Sequence, residues 1–364
     1  MLAFATYFII IGAVVYCSFI LCALISWHRI SEHKPSQVGD VAFDVIIPAK
    51  DESTSIGPCL KSVRQSIGSK SNGRIIVVDD QSTDNTAEVA QQYLSERDLL
   101  LSNQTKSGKK NAVQLALKNT QQSLILATDG DCIVSKHWAS LLSNALAANK
   151  NEMILGPVFI FEPKNLISFF QQFDAMATMA ISQIGFEHSL FYSGSAANMG
   201  YQRDTFDALN PYEGNQDIAS GDDIFFIEAI IKGGYKIKFI KHPEHFVRTY
   251  PESSWNKLFK QRMRWAGKTQ HYSQRQLKIF WITMAILLTN FVVSICLLPF
   301  GINPVVAISI WLAKGLVDAL LVSSVARYYD LKISFAHFIP SLLIYPFFIL
   351  VVGITSLFQN NKSW

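Results

Sequence analysis

Cysteine is scarce in this chain: there are five in 364 residues, with no CxxC pair and no even-numbered framework. That excludes a disulfide scaffold and gives no sign of a zinc site. Cys17, Cys22 and Cys296 fall in apolar segments, Cys59 and Cys132 in the rest. Charge is missing altogether from residues 2–26, LAFATYFIIIGAVVYCSFILCALIS. At about 1.5 Å of rise per residue such a run crosses a hydrocarbon core of about 30 Å. It reads as a membrane span. No basic region precedes it and no small-x-small site follows it, so it lacks the pattern of a cleaved signal peptide, the competing reading. Net charge is also small, at +4, and names no partner by itself; no nucleic acid is expected.

Three more apolar segments lie at about 279–299, 305–326 and 335–358, which makes four expected spans. Basic residues flank them unevenly: His28, Arg29 and Lys34 after the first, Arg275 and Lys278 before the second, Arg327 and Lys332 between the third and fourth. The loop FGINP at 300–304 has none. The positive-inside rule then places residues 27–277 in the cytoplasm and the chain in the cell's inner membrane. Lys257, Lys260, Arg262, Arg264, Lys268, Arg275 and Lys278 crowd the approach to the second span, which suits an anionic leaflet.

Between the first and second spans, strand and helix patterns alternate. FDVIIP at 43–48 reads as a strand, AKDES as a turn, and SIGPCLKSVRQSI as a helix. The apolar run 75–78 reads as a strand buried on both faces, and 80–86 as a polar loop before a helix start. A helix over 110–120 precedes LILATDGD, read as the third strand. Such alternation predicts an α/β fold with a mostly parallel sheet. Ligands bind such sheets outside the carboxyl ends of the strands. Asp51 and Glu52, Asp79 and Asp80, and Asp129 with Asp131 all fall at that edge. A single acidic cluster there only solvates a strand end; three from successive strands on one rim point to a site.

In order along the chain come VIIPAKDE, VVDDQSTDNT, SGKKNAVQLAL, TDGD, YSGSAANMGYQR, SGDD and QRMRW. With these motifs the stretch from about residue 44 to 265 resembles the inverting glycosyltransferases of family 2, which have a GT-A nucleotide-sugar domain. It is most similar to their membrane branch of ceramide glucosyltransferases and poly-N-acetylglucosamine, chitin, hyaluronan and cellulose synthases. The resemblance implies that Asp131 ligates Mn²⁺ or Mg²⁺, with Asp129 beside the metal or ribose. A hard cation on oxygen ligands neutralises a departing diphosphate, and Gly130 lets the backbone approach the phosphates. Asp80 is implied near the base and ribose, Asp51 and Glu52 against a uracil, and Lys109 in the donor site. A solvated loop explains Glu52 equally well, and a solvated face explains a lysine beside another lysine.

Inverting transfer needs a general base, and the resemblance assigns it to Asp223, with Asp222 beside it or capping the helix that the pair opens. Capping by both is the plain alternative. On a helix, Gln261, Arg264 and Trp265 share one face, an aromatic surface for a sugar and cationic donors for diphosphate; an interfacial amphipathic helix would use the same residues. Gly194 and Ser195 are implied at the acceptor entrance, although small residues equally suit a buried strand. Residues 166–186 carry too many polar groups to span and read either as a helix near the membrane or as a core helix. Lys314 and Asp318, one helical turn apart, read as an ion pair that neutralises itself within a span.

The expected domains are a span over 1–27, a cytoplasmic GT-A domain over 28–253, an interfacial helix over 254–277 and three spans over 278–364. The expected activity is β-linked transfer of a sugar from a UDP-sugar to a membrane lipid or lipid-linked acceptor. A small processive polysaccharide synthase is the alternative; four spans make a modest wall for a growing glycan unless a homo-oligomer or partner subunit adds to it. A nucleotide-sugar-binding membrane protein without turnover is the non-enzyme alternative. A transporter is disfavoured by spans that are almost wholly apolar.

Overall fold

The computed structural model describes residues 2–34, 41–68, 72–149, 152–215, 218, 221–268 and 273–356. In chain order the elements begin with α1 (Leu2–Arg29), β1 (Phe43–Ala49), α2 (Ile56–Ile67), β2 (Gly73–Asp79), α3 (Thr86–Tyr93), β3 (Leu99–Ser102), α4 (Lys109–Lys118) and β4 (Leu124–Ala127). Next come β5 (Cys132–Val134), α5 (Trp138–Asn149), β6 (Met153–Leu155), β7 (Val158–Ile160), α6 (Leu166–Glu187), β8 (Met199–Gln202), α7 (Arg203–Leu209) and α8 (Asp222–Lys232). The last are β9 (Ile237–Phe239), β10 (Val247–Thr249), α9 (Trp255–Lys268), α10 (Arg275–Cys296), α11 (Pro304–Tyr329) and α12 (Phe335–Ser356). They form two compact units: Ser31–Phe161 with Tyr192–Tyr250, and Met1–Ile30 with Glu162–Phe191 and Pro251–Lys362.

The first unit is built on a seven-stranded sheet of order β3-β2-β1-β4-β8-β6-β9. β3, β2, β1 and β4 are mutually parallel, and β8 runs against both its neighbours. A second sheet, β5-β10-β7, has three strands. β1 and β2 are apolar almost throughout because helices cover both faces of a parallel sheet, and Val45, Ile46, Ile47, Ile75, Ile76, Val77 and Val78 are all fully buried. Pro48 cannot donate to a ladder. It sits past the last β4 partner, where Ile46 faces Ala127.

β3 is a strand that the sequence pattern does not predict, so LILA is fourth rather than third in the chain. Its residues are half-exposed, without the fully apolar run that marks β1 and β2. β3 lies at the sheet edge, outside β2, and leaves β1, β2 and β4 as neighbours. The predicted third strand also ends sooner than read: β4 stops at Ala127, and TDGD lies beyond it.

Asp44, fully buried at the start of β1, accepts from Arg74 Nε at 3.0 Å and Arg74 Nη2 at 2.7 Å, and from the Thr120 hydroxyl. This bidentate pair ties β1 to β2. Asp44→Ala removes the charged bonds to Arg74, whose part-exposed guanidinium keeps only the Asn119 carbonyl at 3.2 Å, so a loss of about 2 kcal/mol is expected. A fall in the thermal midpoint of the purified full chain, relative to wild type, is the measurement that checks it.

The second unit is helical. α1, α10, α11 and α12 are long and apolar enough to cross a membrane. Within this unit Gly12 of α1 faces Asn290 of α10: a Cβ there would lie 2.6 Å from Asn290 Nδ2, which donates to the Ile9 carbonyl at 2.8 Å. Lys314, almost fully buried, pairs with Asp318, whose other oxygen accepts from Tyr16 O–H at 2.9 Å. The charges meet inside the unit. α6 begins at an Asn165 cap, whose side chain accepts from Ser168 N–H at 3.0 Å. Its Phe170 lies 5.1 Å from Trp255 and 5.3 Å from Phe348 between ring centres, so α6 is a core helix of this unit.

Candidate active site

At the carboxyl edge of the first unit, β1 runs out into Lys50, Asp51 and Glu52. Asp51 takes a left-handed backbone, φ +56°, and its carboxylate accepts from Thr83 N–H at 2.7 Å and Thr83 O–H at 3.0 Å. Its own N–H donates to Ser82 Oγ at 3.0 Å. Asp51 thus joins the loop after β1 to the loop after β2. Asp80 is more fully committed: it accepts from Gly108 N–H at 2.7 Å, Ser107 O–H at 3.0 Å and Asn103 Nδ2 at 2.5 Å. One carboxylate oxygen of Asp79, by contrast, is buried with no hydrogen-bond partner among the described residues.

The centre of the edge is Lys109, the first residue of α4. Its ammonium lies 2.7 Å from Asp129 Oδ1 and 3.1 Å from Asp222 Oδ2. Burial pulls its pKa down, but the two carboxylates outweigh that and hold it well above the usual lysine value. Sequence motifs twenty and more residues apart, SGKKN, TDGD and SGDD, therefore meet at one nitrogen. The next residue, Lys110, turns elsewhere. It is buried and donates to the Asn215 carbonyl at 2.7 Å, Asn215 Oδ1 at 2.8 Å and the Ile218 carbonyl at 3.1 Å, holding the chain ahead of α8. Neither lysine lies on a solvated face, and sequence reasoning missed Lys110 because adjacent lysines carry no periodic signal.

Asp129 is pushed up to about 6 by burial; Lys109 opposes this, and Asp131 and Asp222 add to it. Glu52 is raised further, to about 7, by burial, a rise that a Ser55 hydrogen bond opposes and that Asp131 and Asp129 reinforce. A Cβ on Gly130 would lie 3.2 Å from Ala49 Cβ and 3.5 Å from Glu52 Cγ, so glycine lets the turn press against the end of β1. Asp131 accepts from Thr249 O–H at 3.0 Å. Thr249, on β10, is another residue that sequence reasoning missed, since it comes from the second sheet and follows Asp131 by more than a hundred positions.

Asp222 and Asp223 open α8, after Gly221 in a left-handed turn of φ +93°. Asp222 is buried against Lys109, whereas Asp223 is half-buried and accepts from the Ile224 N–H at 2.8 Å. A Cβ on Gly194 would lie 2.5 Å from Leu155 Cδ1, and Ser195 Oγ accepts from Ala197 N–H at 3.3 Å. Gln261, Arg264 and Trp265 belong to the helical unit, on α9. Arg264 and Trp265 are exposed there, and Gln261 Nε2 donates to Glu252 Oε1 at 3.0 Å.

Hard oxygen donors such as Asp129 and Asp131 suit Mn²⁺ or Mg²⁺ better than zinc. Among the described residues no three His, Cys, Asp or Glu side chains converge as a metal site. Protein carboxylates and diphosphate oxygens together make the usual site for such ions. Asp129 and Asp222 share the one ammonium of Lys109, and Asp131 stands beside Asp129, so a cation held by these carboxylates fits the charge of the edge.

Residues 44–207 match the model of Glycosyl transferase family 2. The chain is 23% identical over 228 residues to Glycosyltransferase AglE of Haloferax volcanii, an alignment covering 62% of this chain and 72% of that protein. It is 24% identical over 269 residues to Poly-beta-1,6-N-acetyl-D-glucosamine synthase of Staphylococcus epidermidis, covering 70% of this chain and 59% of that protein. Among solved structures, mannosyltransferase PcManGT from Pyrobaculum calidifontis, in complex with GDP-Man and Mn²⁺, shares the fold: TM-score 0.61 at 15% identity, covering 98% of this chain and 99% of that one. The chain is a glycosyltransferase. Its sheet unit, which matches the family 2 model over residues 44–207, has a GT-A-like fold and is joined in one chain to four helices long and apolar enough to cross a membrane.

Proposed function

We propose that this chain is a membrane-bound inverting glycosyltransferase that moves a sugar from a nucleotide-sugar, UDP-linked, to a membrane lipid or lipid-linked acceptor. The observation that carries it is Lys109 bridging Asp129 and Asp222, which joins the donor motif to the acidic pair at the head of α8. Asp223 takes the proton of the acceptor hydroxyl, whose oxygen attacks the anomeric carbon as the bond to the diphosphate breaks. An α-linked donor then yields a β-linkage. Lys109 faces the negative charge of the leaving diphosphate; on α9, Arg264 is a cationic donor suited to diphosphate and Trp265 an aromatic surface suited to a sugar. Asp129 and Asp131 would hold Mn²⁺ or Mg²⁺, which when bound neutralises diphosphate oxygens. Asp80, through Gly108 and Ser107, fixes the start of α4 and so the place of Lys109; Asp51 and Glu52 border the nucleotide side, and Gly194 and Ser195 the acceptor side.

In this reading residues 28–253 form a cytoplasmic GT-A domain, 254–277 an interfacial helix, and the remaining segments anchor the chain in the inner membrane. Likeness to a poly-N-acetylglucosamine synthase supports a second reading, a small processive synthase. Membranes containing the full chain, given Mn²⁺ and radiolabelled UDP-glucose, UDP-N-acetylglucosamine or GDP-mannose, separate the two. Label in solvent-extractable lipid is the expected result; label in insoluble polymer selects the second reading. Label in neither fraction with any donor overturns both.

A further inference from the structure

Trp265 is 47% exposed, and behind it stands Arg262, with its guanidinium 4.1 Å from the ring centre. A guanidinium stacked on an aromatic face restricts the ring as well as attracting it. Arg262 is itself held. Its Nη2 lies 2.5 Å from Asp174 Oδ2, with the two side chains only 13% and 12% exposed. The other Asp174 oxygen accepts from Tyr345 O–H at 2.9 Å. Arg262 Nη1 donates to Gln261 Oε1 at 2.9 Å, and Gln261 donates on to Glu252. The Glu252 N–H donates to Gln171 Oε1 at 2.9 Å, and Gln171 Nε2 returns a bond to the Glu252 carbonyl at 3.1 Å.

Three helices of the unit thus converge on one carboxylate: α6 supplies Asp174, α9 Arg262 and α12 Tyr345. Apolar contacts through Leu258 and Met263 already bury one side of α9. A buried ion pair adds little to that docking, because desolvation offsets most of its attraction. What it adds is direction, since a forked guanidinium accepts few geometries.

We propose that Asp174, supported by Tyr345, is a positioning residue: it fixes Arg262, and through Arg262 sets Gln261 and the plane of Trp265 as a platform for a sugar ring. This rests on the reading of residues 261–265 given above. The stripe Lys257, Lys260 and Arg264 is exposed on α9, whereas Arg262 is turned inward, so the two arginines of QRMRW have separate tasks.

A double-mutant cycle on the full chain in membranes, using whichever donor of the panel is consumed, tests it. Asp174→Asn is expected to lower kcat/KM about tenfold or more, the scale of a misplaced catalytic surface. In a Trp265→Ala background the same change is expected to cost less than about twofold, because the group it positions is gone. The charge-swapped pair Asp174→Arg with Arg262→Asp restores attraction but not the guanidinium behind the ring, and is expected to stay impaired. Equal losses in both backgrounds, or wild-type activity of the swapped pair, would show simple helix docking and overturn the proposal. Trp265→Ala at the wild-type rate overturns the role of residues 261–265 and this inference with it; an impaired Trp265→Ala beside a silent Asp174→Asn overturns this inference alone. Should Asp174→Asn fail to accumulate in membranes, Tyr345→Phe is the milder variant, with a loss of about threefold expected in the Trp265 background only.

Discussion

Asp223→Asn is expected to lower turnover by about a thousandfold, within the range that a positioned general base contributes, while leaving the affinity for the nucleotide-sugar unchanged. The two acidic residues at the head of α8 are not equivalent. Asp222 is buried and faces the Lys109 ammonium at 3.1 Å, so its charge is already engaged. Asp223 is half-buried and accepts one N–H from the residue after it, which leaves lone pairs for a proton. Asp222→Asn, by contrast, removes one of the two partners of Lys109 and is expected to act mainly on donor KM. Radiolabel transfer at saturating donor, together with nucleotide binding by calorimetry, separates these effects. Wild-type turnover by Asp223→Asn would end its assignment as the base.

Asp131→Asn is the second large effect expected: a fall of about a hundredfold in transfer, with the Mn²⁺ requirement moved to higher concentration. The cause lies in charge. Glu52, raised to about 7, and Asp129, raised to about 6, are both pushed up by burial and by neighbouring carboxylates, among them Asp131. Asp129 and Asp222 share the one ammonium of Lys109 and Asp131 stands beside Asp129, so the carboxylates of the edge outnumber its cation and a divalent ion would offset them. Removing one carboxylate charge weakens that pull. Titration of Mn²⁺ against the full chain, followed by the resonance of the unbound ion, reads affinity without turnover, and transfer after chelation and re-addition of Mn²⁺ reads function. Unchanged Mn²⁺ affinity in Asp131→Asn would remove this residue from the metal site.

Local pattern was legible in the sequence. Uninterrupted apolar runs such as 75–78 specify strands covered on both faces, and charge-free runs as long as 2–26 specify spans, because neither can be solvated otherwise. Acidic residues directly after those strands had to share an edge once the strands were parallel, which is why Asp51, Asp80 and Asp129 could be grouped before any coordinates. β3 escaped because a short, half-exposed edge strand needs no apolar run.

The partners of these residues were not legible there. The resemblance singles out Lys109 in SGKKN but gives neither lysine a partner; the start of α4 aims Lys109 at Asp129 and Asp222 and Lys110 at Asn215. Thr249 reaches Asp131 only because β10 pairs with β5 in a register that sets Thr249 opposite Cys132. Arg262 looks like one more cation in a basic stretch until α6 brings Asp174 beneath it. Periodicity reports the face a residue takes within its own element, whereas charge pairing across elements depends on how the chain folds back, and a linear pattern holds no record of that distance.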